Sequence, residues 1–228
     1  MTKKRILIIA PHKDDEVLGC GGLIAKSIEL GHSVWVIIVT SGYVGDPEIF
    51  PKEVSEKTVE ECKSAHRFLG VEETFFLDFP CPRLDTSPQY KISMAIEKII
   101  RQKEISELYL PHRGDVHVDH RVTYDASLVA ARPINNNPVR NIFVYETQSE
   151  TEWSSPHAGN VFIPQVFVGL TEEQMAKKLK AFEFFKSQQK KAPHPRSLES
   201  IHYLAKMRGA TVNKFLAEAF MVVRQIES

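Results

Sequence analysis

Residues 5–16 of the 228-residue chain read RILIIAPHKDDE, an apolar run that passes directly into a charged turn. The run over residues 5–10 is almost wholly apolar, which is typical of a strand buried on both faces of a parallel sheet. Apolar residues at helical spacing follow over residues 18–30, and Gly31 is placed to end that helix. A buried strand, a polar turn and a helix in this order favour an α/β fold.

The same alternation continues over the next hundred residues. It predicts further strands at 34–40, 74–79, 108–111 and 142–145, and further helices at 53–69, 90–103 and 119–131. Strands separated by helices are typical of a Rossmann-like, mostly parallel sheet that is flanked by helices on both faces.

The pattern becomes less regular after Glu146. A polar stretch at residues 146–159 predicts a long loop, and loops of this length are often functional. Thr171 and Gln174 form a capping box at the start of a predicted helix. The remaining predicted elements are this helix at 171–191, a second helix at 197–208 and a strand at 219–224.

The C-terminal part of the chain is predicted to belong to the same unit. We expect a single domain over residues 1–228, in which residues 146–228 form a C-terminal extension of loop, helix and strand that walls the active site. The helix at 171–191 carries an apolar stripe that we expect in the core, at Met175, Leu179, Phe182 and Phe185. Its lysines are expected to face solvent, at Lys177, Lys178 and Lys180.

Composition excludes several classes of protein. The chain has 29 basic and 29 acidic residues, whereas proteins that grip nucleic acid by its phosphates usually carry a basic excess. Its three cysteines form no CxxC pair, which argues against a disulfide framework or a thiolate zinc site and favours a reducing compartment. No segment approaches the roughly 20 apolar residues needed to span a bilayer. We therefore predict a cytoplasmic protein without nucleic-acid binding or a membrane span.

A histidine and three acids follow the first predicted strand within five residues. In a parallel sheet, ligands bind at the carboxyl ends of the strands. Adjacent carboxylates repel each other unless a cation offsets them. A divalent metal would do so, with His12 and either Asp14 or Asp15 as ligands. The other aspartate would then be free to act as a base.

A second polar cluster, HRGDVHVDHR at residues 112–121, follows the fourth predicted strand and reaches the same sheet edge. His117 and His120 lie three residues apart, and Asp119 between them is placed to orient one imidazole through its second ring nitrogen. Together the two clusters can supply two histidines and one aspartate to a metal. This leaves an open coordination position, as in catalytic zinc sites.

Glycines at positions 19, 21 and 22 suggest an alternative, a nucleotide-binding regulator or reductase. The dinucleotide fingerprint requires GxGxxG directly after the first strand and an acid at the end of the second. Here the first strand is followed by HKDDE, and the second ends in Thr40-Ser41-Gly42. Because both features are missing, Gly21 and Gly22 are better explained as sites of close helix packing.

The two motifs PHKDDEVLGCGG, at residues 11–22, and HVDH, at residues 117–120, resemble the signature pair of the LmbE-like (PIG-L) family of zinc-dependent N-acetylglucosaminyl deacetylases. Weaker similarities extend this resemblance over most of the chain, at 40–42, 65, 69–71, 178, 187–188 and 217–220. The resemblance implies one zinc ion per chain and hydrolysis of the N-acetyl group of a small amino-sugar conjugate. Many enzymes with this resemblance form homo-oligomers, although the sequence itself does not specify the oligomeric state.

The resemblance assigns roles that the spacing left open. His12, Asp15 and His120 match the family's metal ligands, and Asp14 matches its general base. His117 matches the family residue that stabilises the oxyanion and can protonate the leaving amine. Asp119 matches a residue that supports a histidine, and Glu16 matches a residue in the outer layer of the site.

Substrate contacts are less closely specified. The family commonly has an arginine shortly before Glu61, where this chain has Lys57, a point charge without the bidentate fork. Family members act on N-acetylglucosamine linked to inositol, inositol phosphate, malate, a second sugar or a glycopeptide. Other predicted contacts are Arg83 and Asp85 after the third strand, Trp153 in the long loop, and His194 with Arg196. A metal-dependent amidohydrolase of the same fold that cuts a non-sugar N-acyl substrate is the alternative.

Overall fold

A computed structural model describes residues 3–227. Its seven strands are β1 (Arg5–Ala10), β2 (Ser33–Ser41), β3 (Glu73–Pro80), β4 (Glu107–Pro111), β5 (Asn141–Tyr145), β6 (Val166–Gly169) and β7 (Ala217–Arg224). Its α-helices are α1 (Asp15–Glu29), α2 (Gly42–Gly45), α3 (Lys52–Leu69), α4 (Gln89–Gln102), α5 (Val118–Ala130), α6 (Glu172–Phe182) and α7 (Leu198–Thr211). Short 3₁₀ helices lie at Leu84–Thr86 and Ala158–Asn160.

The strands form one sheet in the order β3-β2-β1-β4-β5-β7-β6. Strands β1 to β5 are parallel, and β7 and β6 are antiparallel to their neighbours. This confirms the predicted mostly parallel α/β sheet. The chain runs outward from β1 through β2 to β3 and then returns to place β4 on the other side of β1. A crevice opens at the carboxyl ends of β1 and β4, where such a reversal of strand order places ligands.

Strand β1 is buried on both faces, which explains its unbroken apolar sequence. Ile6 and Ile8 pack into one core with α1, α3, α6 and α7, whereas Leu7 and Ile9 pack into a second core with α4 and α5. A two-sided core holds β1 rigidly. The turn that follows β1 is therefore a firm base for the polar side chains it carries.

Helix α1 begins at Asp15, three residues earlier than predicted, so Asp15 and Glu16 of the charged motif lie in its first turn. Asp14 stands at the N-cap, and its carbonyl accepts from the Leu18 N–H at 2.9 Å. Gly21 and Gly22 face Lys178 and Leu170 so closely that a Cβ atom at either position would clash. The close-packing role predicted for these glycines is confirmed.

The capping box of α6 is confirmed, because the Gln174 N–H donates to Thr171 Oγ1 at 3.2 Å and the Thr171 N–H donates to Gln174 Oε1 at 3.0 Å. The predicted helix end at residue 191 is wrong, since α6 ends at Phe182. Beyond it the backbone continues in turns, and this change of direction keeps Phe185 fully buried. Burial of this aromatic ring outweighs helix propensity in the segment.

Two further features of the C-terminal part were not predicted. Strand β6 is only four residues long and pairs with β7. Lys178 was expected in solvent, but it is buried, and its ammonium group donates to Glu218 Oε1 and to the Leu18 carbonyl, each at 2.6 Å. A buried lysine needs such partners to offset its desolvation. Lys178 therefore ties α6 to α1 and β7.

Candidate metal and active site

The turn after β1 and the segment after β4 bring three metal-ligand side chains together. His12, Asp15 and His120 each offer one ligand atom, and these atoms all lie within 4.8 Å of one another. Asp15 Oδ2 is 3.3 Å from His12 Nδ1 and 3.3 Å from His120 Nε2. Two imidazoles and a carboxylate facing one point are a donor set that suits zinc.

Each of the two histidines is held by a carboxylate on its other ring nitrogen. Asp119 Oδ2 lies 3.1 Å from His12 Nε2, and Asp115 Oδ2 lies 2.7 Å from His120 Nδ1. Such carboxylate partners orient a metal-binding imidazole and raise its basicity. Asp119 was expected to support a histidine, whereas the part of Asp115 was not foreseen. Its only signal in the sequence is its position inside the HRGDVHVDHR cluster.

Unsatisfied polar atoms show whether a cation fits between these groups. Asp15 Oδ1 and His120 Nε2 are buried and lack a hydrogen-bond partner anywhere in residues 3–227. Buried polar atoms are nearly always bonded, so such a pair calls for an explanation. Both atoms belong to the same three-residue group, so a metal ion is the partner that would satisfy them together.

Charges within this group shift its pKa values. Burial alone would raise the pKa of Asp15, but His120 and His12 hold it well below its usual range. Burial alone would lower the pKa of His120, but Asp15 and Asp115 raise it to about 9. Likewise, hydrogen bonds with Asp119 and Asp15 outweigh burial and raise the pKa of His12 well above its ordinary value. The site therefore favours positive charge, as a proton or as a metal ion.

Asp14 is buried beside this group but differs from Asp15 in its surroundings. Its backbone has φ of 126°, and its Oδ2 lies 3.4 Å from a terminal nitrogen of Arg196. Burial raises the pKa of Asp14 to about 8, while the Arg196 guanidinium opposes the rise and Asp15 adds to it. The geometry thus separates the two aspartates, because Asp15 faces both histidines and Asp14 lines a cavity.

His117 lies at the start of α5 and caps it. Its Nδ1 accepts from the Asp119 N–H at 3.1 Å, and its ring centroid is 4.5 Å from that of His12. Burial lowers the pKa of His117 to about 4, and the neighbouring His12 adds to the effect. Because Nδ1 is an acceptor, the proton of the neutral ring resides on Nε2. His117 is therefore set up as a neutral hydrogen-bond donor through Nε2.

A cavity of about 340 Å³ opens over Asp14, His12 and His117. Its apolar walls include Phe50, Val54 and Pro82, and its polar walls include Lys13, Ser55, Thr58, Cys81, Glu150, Ser187, Gln188 and Arg196. This size is within the range of small-molecule pockets. Apolar surface with a few polar groups suits a compact ligand that carries hydroxyl groups.

Arg196 is the one predicted substrate-binding residue that lines this cavity within the described part of the chain. Besides Asp14, its guanidinium contacts Ser149 Oγ at 2.6 Å, Gln188 Oε1 at 2.9 Å and Glu150 Oε1 at 3.3 Å. These contacts cross-link the segments around residues 149 and 188 above the site. Glu150, Ser187 and Gln188 were not among the predicted site residues.

The other predicted substrate contacts lie farther out. Lys57 is exposed on α3, on which Ser55 and Thr58 line the cavity instead. Arg83 pairs with Asp46 at 3.9 Å, and Asp85 is exposed. Trp153 is 56% exposed and packs edge-on against His194, with ring centroids 5.6 Å apart. His194 Nδ1 accepts from the Arg196 N–H at 3.0 Å, so it supports Arg196 from outside the cavity.

Residues 7–131 match the PIG-L family, described as GlcNAc-PI de-N-acetylase. This segment is more than half of the chain. It contains His12, Asp15 and His120 and both motifs, at residues 11–22 and 117–120. The chain belongs to the PIG-L family. The family match confirms the resemblance of the HKDDE and HVDH motifs to the PIG-L signature pair.

Two relatives are similar in sequence to this PIG-L protein, one over most of the chain and the other over about half of it. The uncharacterized deacetylase YaiS of Escherichia coli (strain K12) is 35% identical over 190 residues, which are 81% of this chain and 92% of the relative. The diacetylchitobiose deacetylase of Thermococcus kodakarensis is 33% identical over 127 residues, 52% of this chain and 45% of the relative.

Among solved structures, GalB, the 4-carboxy-2-hydroxymuconate hydratase of Pseudomonas putida KT2440, has a similar fold. The TM-score is 0.78 at 19% identity, and the match covers 99% of this chain and 98% of GalB. At this identity the likeness concerns the fold alone, so activity must be argued from the site.

Within residues 3–227, no helix combines the length and apolar character needed to cross a membrane.

Proposed function

We propose that this PIG-L protein is a zinc-dependent N-deacetylase that removes the acetyl group from an N-acetylglucosamine-type conjugate. The observation that carries this proposal is the His12, Asp15 and His120 group, backed by two carboxylates and bordered by Asp14 in a cavity. Membership of the family and the deacetylase relatives support it.

In this proposal His12, Asp15 and His120 hold one zinc ion per chain. Bound zinc supplies a Lewis acid that polarises an acyl carbonyl and lowers the pKa of water toward about 7. Asp119 and Asp115 keep the two imidazoles in the required orientation through their second nitrogens.

Asp14 is the general base of the proposed reaction. Its Oδ2 is buried and lacks a hydrogen-bond partner among the described residues, although Arg196 lies 3.4 Å away. In its ionised form, which predominates above the raised pKa of about 8, Asp14 offers an oxygen with a free acceptor site beside a cavity, placed to take a proton from water. The buried N-terminal turn of α1 keeps this carboxylate close to the metal group.

His117 is the proposed donor to the developing oxyanion. Its Nδ1 is occupied by the Asp119 N–H, which leaves the Nε2–H for the substrate. Preorganised donors of this kind stabilise tetrahedral intermediates of acyl transfer. Collapse of the intermediate requires a proton on the leaving amine. Asp14, which has gained one from water, delivers it, whereas the neutral His117 keeps its Nε2 proton as a hydrogen-bond donor.

The substrate class rests on the relatives and on the cavity. A relative that is 33% identical over 127 residues carries the name diacetylchitobiose deacetylase, and a cavity of about 340 Å³ is large enough for an amino-sugar ring. Arg196 is the proposed contact for a polar or anionic group of the aglycone. Lys57, Arg83, Asp85, Trp153 and His194 remain predicted contacts for a larger aglycone at the rim.

The test is a screen of acetate release by the zinc-loaded protein. The panel contains N-acetylglucosamine, N,N'-diacetylchitobiose, and N-acetylglucosamine linked to malate and to inositol, with N-acetyl amino acids as non-sugar amides. We expect acetate from at least one sugar and none after chelation or in Asp14→Asn, which keeps the shape of the side chain. Acetate from the amino acids alone would establish the non-sugar amidohydrolase instead.

Metal content provides an independent check. Elemental analysis of the native protein should find one zinc ion per chain, and Asp14→Asn should retain it, since Asp14 is not a proposed ligand. A protein that binds no divalent metal would disprove both amidohydrolase hypotheses.

A further inference from the structure

A chain of buried hydrogen bonds runs behind the active site from β3 to the backbone of Asp14. The Asp14 N–H donates to Glu16 Oε2 at 3.1 Å. The other oxygen of the same carboxyl group, Oε1, lies 2.9 Å from His66 Nε2. His66 Nδ1 lies 2.7 Å from Thr74 Oγ1. Glu16 is fully buried and His66 is 2% exposed.

Asp14 depends on this chain because of its backbone conformation. A φ of 126° is one that residues other than glycine rarely adopt, and surrounding structure must hold a residue there. Asp14 stands at the N-cap of α1 without a side-chain cap. Its N–H is held by Glu16, two residues farther along the same turn. The direction of the Asp14 carboxyl group is therefore coupled to the position of the Glu16 carboxyl group.

Glu16 in turn depends on His66. Within the described residues, the imidazole of His66 is the one side chain that bonds to the Glu16 carboxyl group. When a buried acidic group loses its hydrogen-bond donor, the side chain must move, take up a proton or bind water instead. His66 itself is oriented by Thr74, so α3 and β3 together determine where Glu16 lies.

A structural metal site is the other explanation for this cluster, since Glu16, Cys62 and His66 lie close enough to hold an ion. Both ring nitrogens of His66 are already engaged, by Glu16 and by Thr74. The Cys62 thiol is buried, and burial raises its pKa well above the ordinary value, whereas a metal binds the thiolate. The cluster is therefore better described as a hydrogen-bond chain.

We propose that His66 is a positioning residue for the general base, acting through Glu16 on the backbone of Asp14. This inference rests on the proposed function, in which Asp14 removes a proton from water. His66 does not line the cavity, and its substitution should change the geometry of Asp14 while leaving the metal ligands in place.

Two substitutions of similar polarity separate this role from general packing. His66→Gln places an amide nitrogen at the distance of Nε2 from Cβ and keeps the bond to Glu16. His66→Asn places its amide at the distance of Nδ1, so it reaches Thr74 and not Glu16. Thr74→Val is a milder third variant that removes the hydroxyl group holding the ring.

The first measurement is amide hydrogen exchange at Asp14, resolved by mass spectrometry with fragmentation, and it requires no turnover. We expect exchange at Asp14 to be about tenfold or more faster in His66→Asn, because Glu16 loses its bond to His66 and no longer holds the Asp14 N–H in place. His66→Gln should stay within about threefold of the wild type, and Thr74→Val should lie between them.

The second measurement is turnover of diacetylchitobiose, together with zinc content. His66→Asn should lower kcat about 10- to 100-fold at nearly constant KM with zinc retained, and His66→Gln should restore most of it. Unchanged exchange at Asp14 in His66→Asn would overturn the proposal, as would equal losses of kcat in the two histidine variants. If His66→Asn does not fold, the same comparison is made with Thr74→Val, and unchanged Asp14 exchange there overturns the proposal. A wild type that releases no acetate would count against the proposed function, while exchange still decides the role of His66.

Discussion

The two sides of the candidate active-site cavity are built in different ways. The side with the candidate metal ligands, called the metal side below, comes from two short segments, residues 12–16 and 115–120, each of which closely follows a buried parallel strand. The opposite wall is assembled from Glu150, Ser187, Gln188 and Arg196, which come from irregular segments of the C-terminal part. The metal side is rigid because strands position it, whereas the wall depends on contacts between its own loops.

The contacts of the wall converge on one side chain. Arg196 bonds to Ser149, Gln188 and Glu150 and lies 3.4 Å from Asp14. Arg196 therefore connects the wall, which is made of loops, to the metal side, which follows the strands. Loss of a proposed ligand, or of the carboxylate that orients it, should therefore weaken metal binding, and changes in the wall should reduce turnover with the metal retained.

The largest effect is expected from loss of a metal ligand. His120→Ala removes one of the three proposed ligands, leaves Asp115 without its histidine partner and leaves Asp15 with His12 alone. Zinc affinity should fall by more than about 100-fold, the upper end of what the loss of a ligand's hydrogen-bonded partner costs. Zinc titration with a competing chelator measures this. Wild-type affinity in the variant would contradict the ligand assignment.

A smaller loss is expected when the carboxylate behind His120 is removed. Asp115→Ala leaves all three ligands but frees the His120 ring, so zinc affinity should fall about 10- to 100-fold. Asp125→Ala is the matched control on α5, because Asp125 pairs with Arg113 near the surface. The control should bind zinc as the wild type does. Equal affinities in the two variants would show that Asp115 does not orient the ligand.

A change in the wall should spare the metal. Arg196→Gln removes the charge beside Asp14 and three hydrogen bonds between loops. We expect kcat/KM for diacetylchitobiose to fall about 10- to 100-fold, as for the loss of a charge-assisted hydrogen bond, with one zinc ion still bound. Arg101→Gln, at an exposed ion pair on α4, is the control. Loss of zinc in Arg196→Gln would break the distinction between the two sides.

The smallest effect is a difference in thiol reactivity. Cys20 and Cys62 are buried, and burial raises the pKa of each thiol well above its ordinary value, whereas Cys81 is partly exposed in the cavity. A raised pKa keeps a thiol protonated, and the thiolate is the reactive form, so the buried pair should stay unreactive at about pH 8. A chromogenic disulfide reagent should modify one thiol in the native protein and all three after unfolding.

Labelling of more than one thiol in the native state would show that the metal side opens readily. Cys62 lies against His66 behind Asp14, so its modification would report local opening of the hydrogen-bond chain. Substrate or product that slows the labelling of Cys81 would place the ligand in the cavity.

Much of the fold could be predicted because its signals are local. Unbroken apolar runs indicated the strands, and the periodic helices between them indicated a mostly parallel sheet, which the structure confirms. The end of α6 and the existence of β6 could not be predicted. Burial of Phe185 and pairing with β7 decide those features, and both depend on partners distant in the sequence.

The candidate site divides in the same way. Spacing alone left Asp14 and Asp15 equivalent as ligands, and the family resemblance favoured Asp15. The structure distinguishes them by distance, since Asp15 faces both histidines and Asp14 faces Arg196. Asp115 and His66 escaped prediction because an aspartate in a turn and a histidine in a helix have no distinctive local pattern.

The sequence by itself determined the residue types of the candidate site: two polar motifs at strand ends, with the histidines and aspartates that the proposed metal-dependent hydrolase needs. Tertiary structure decided which atoms meet. The reason is that a motif specifies neighbours along the chain, whereas orientation comes from partners supplied by other elements. Asp119 and Asp115 contact the two histidines, Glu16 and His66 link Asp14 to α3, and Arg196 links the wall to Asp14, the proposed base.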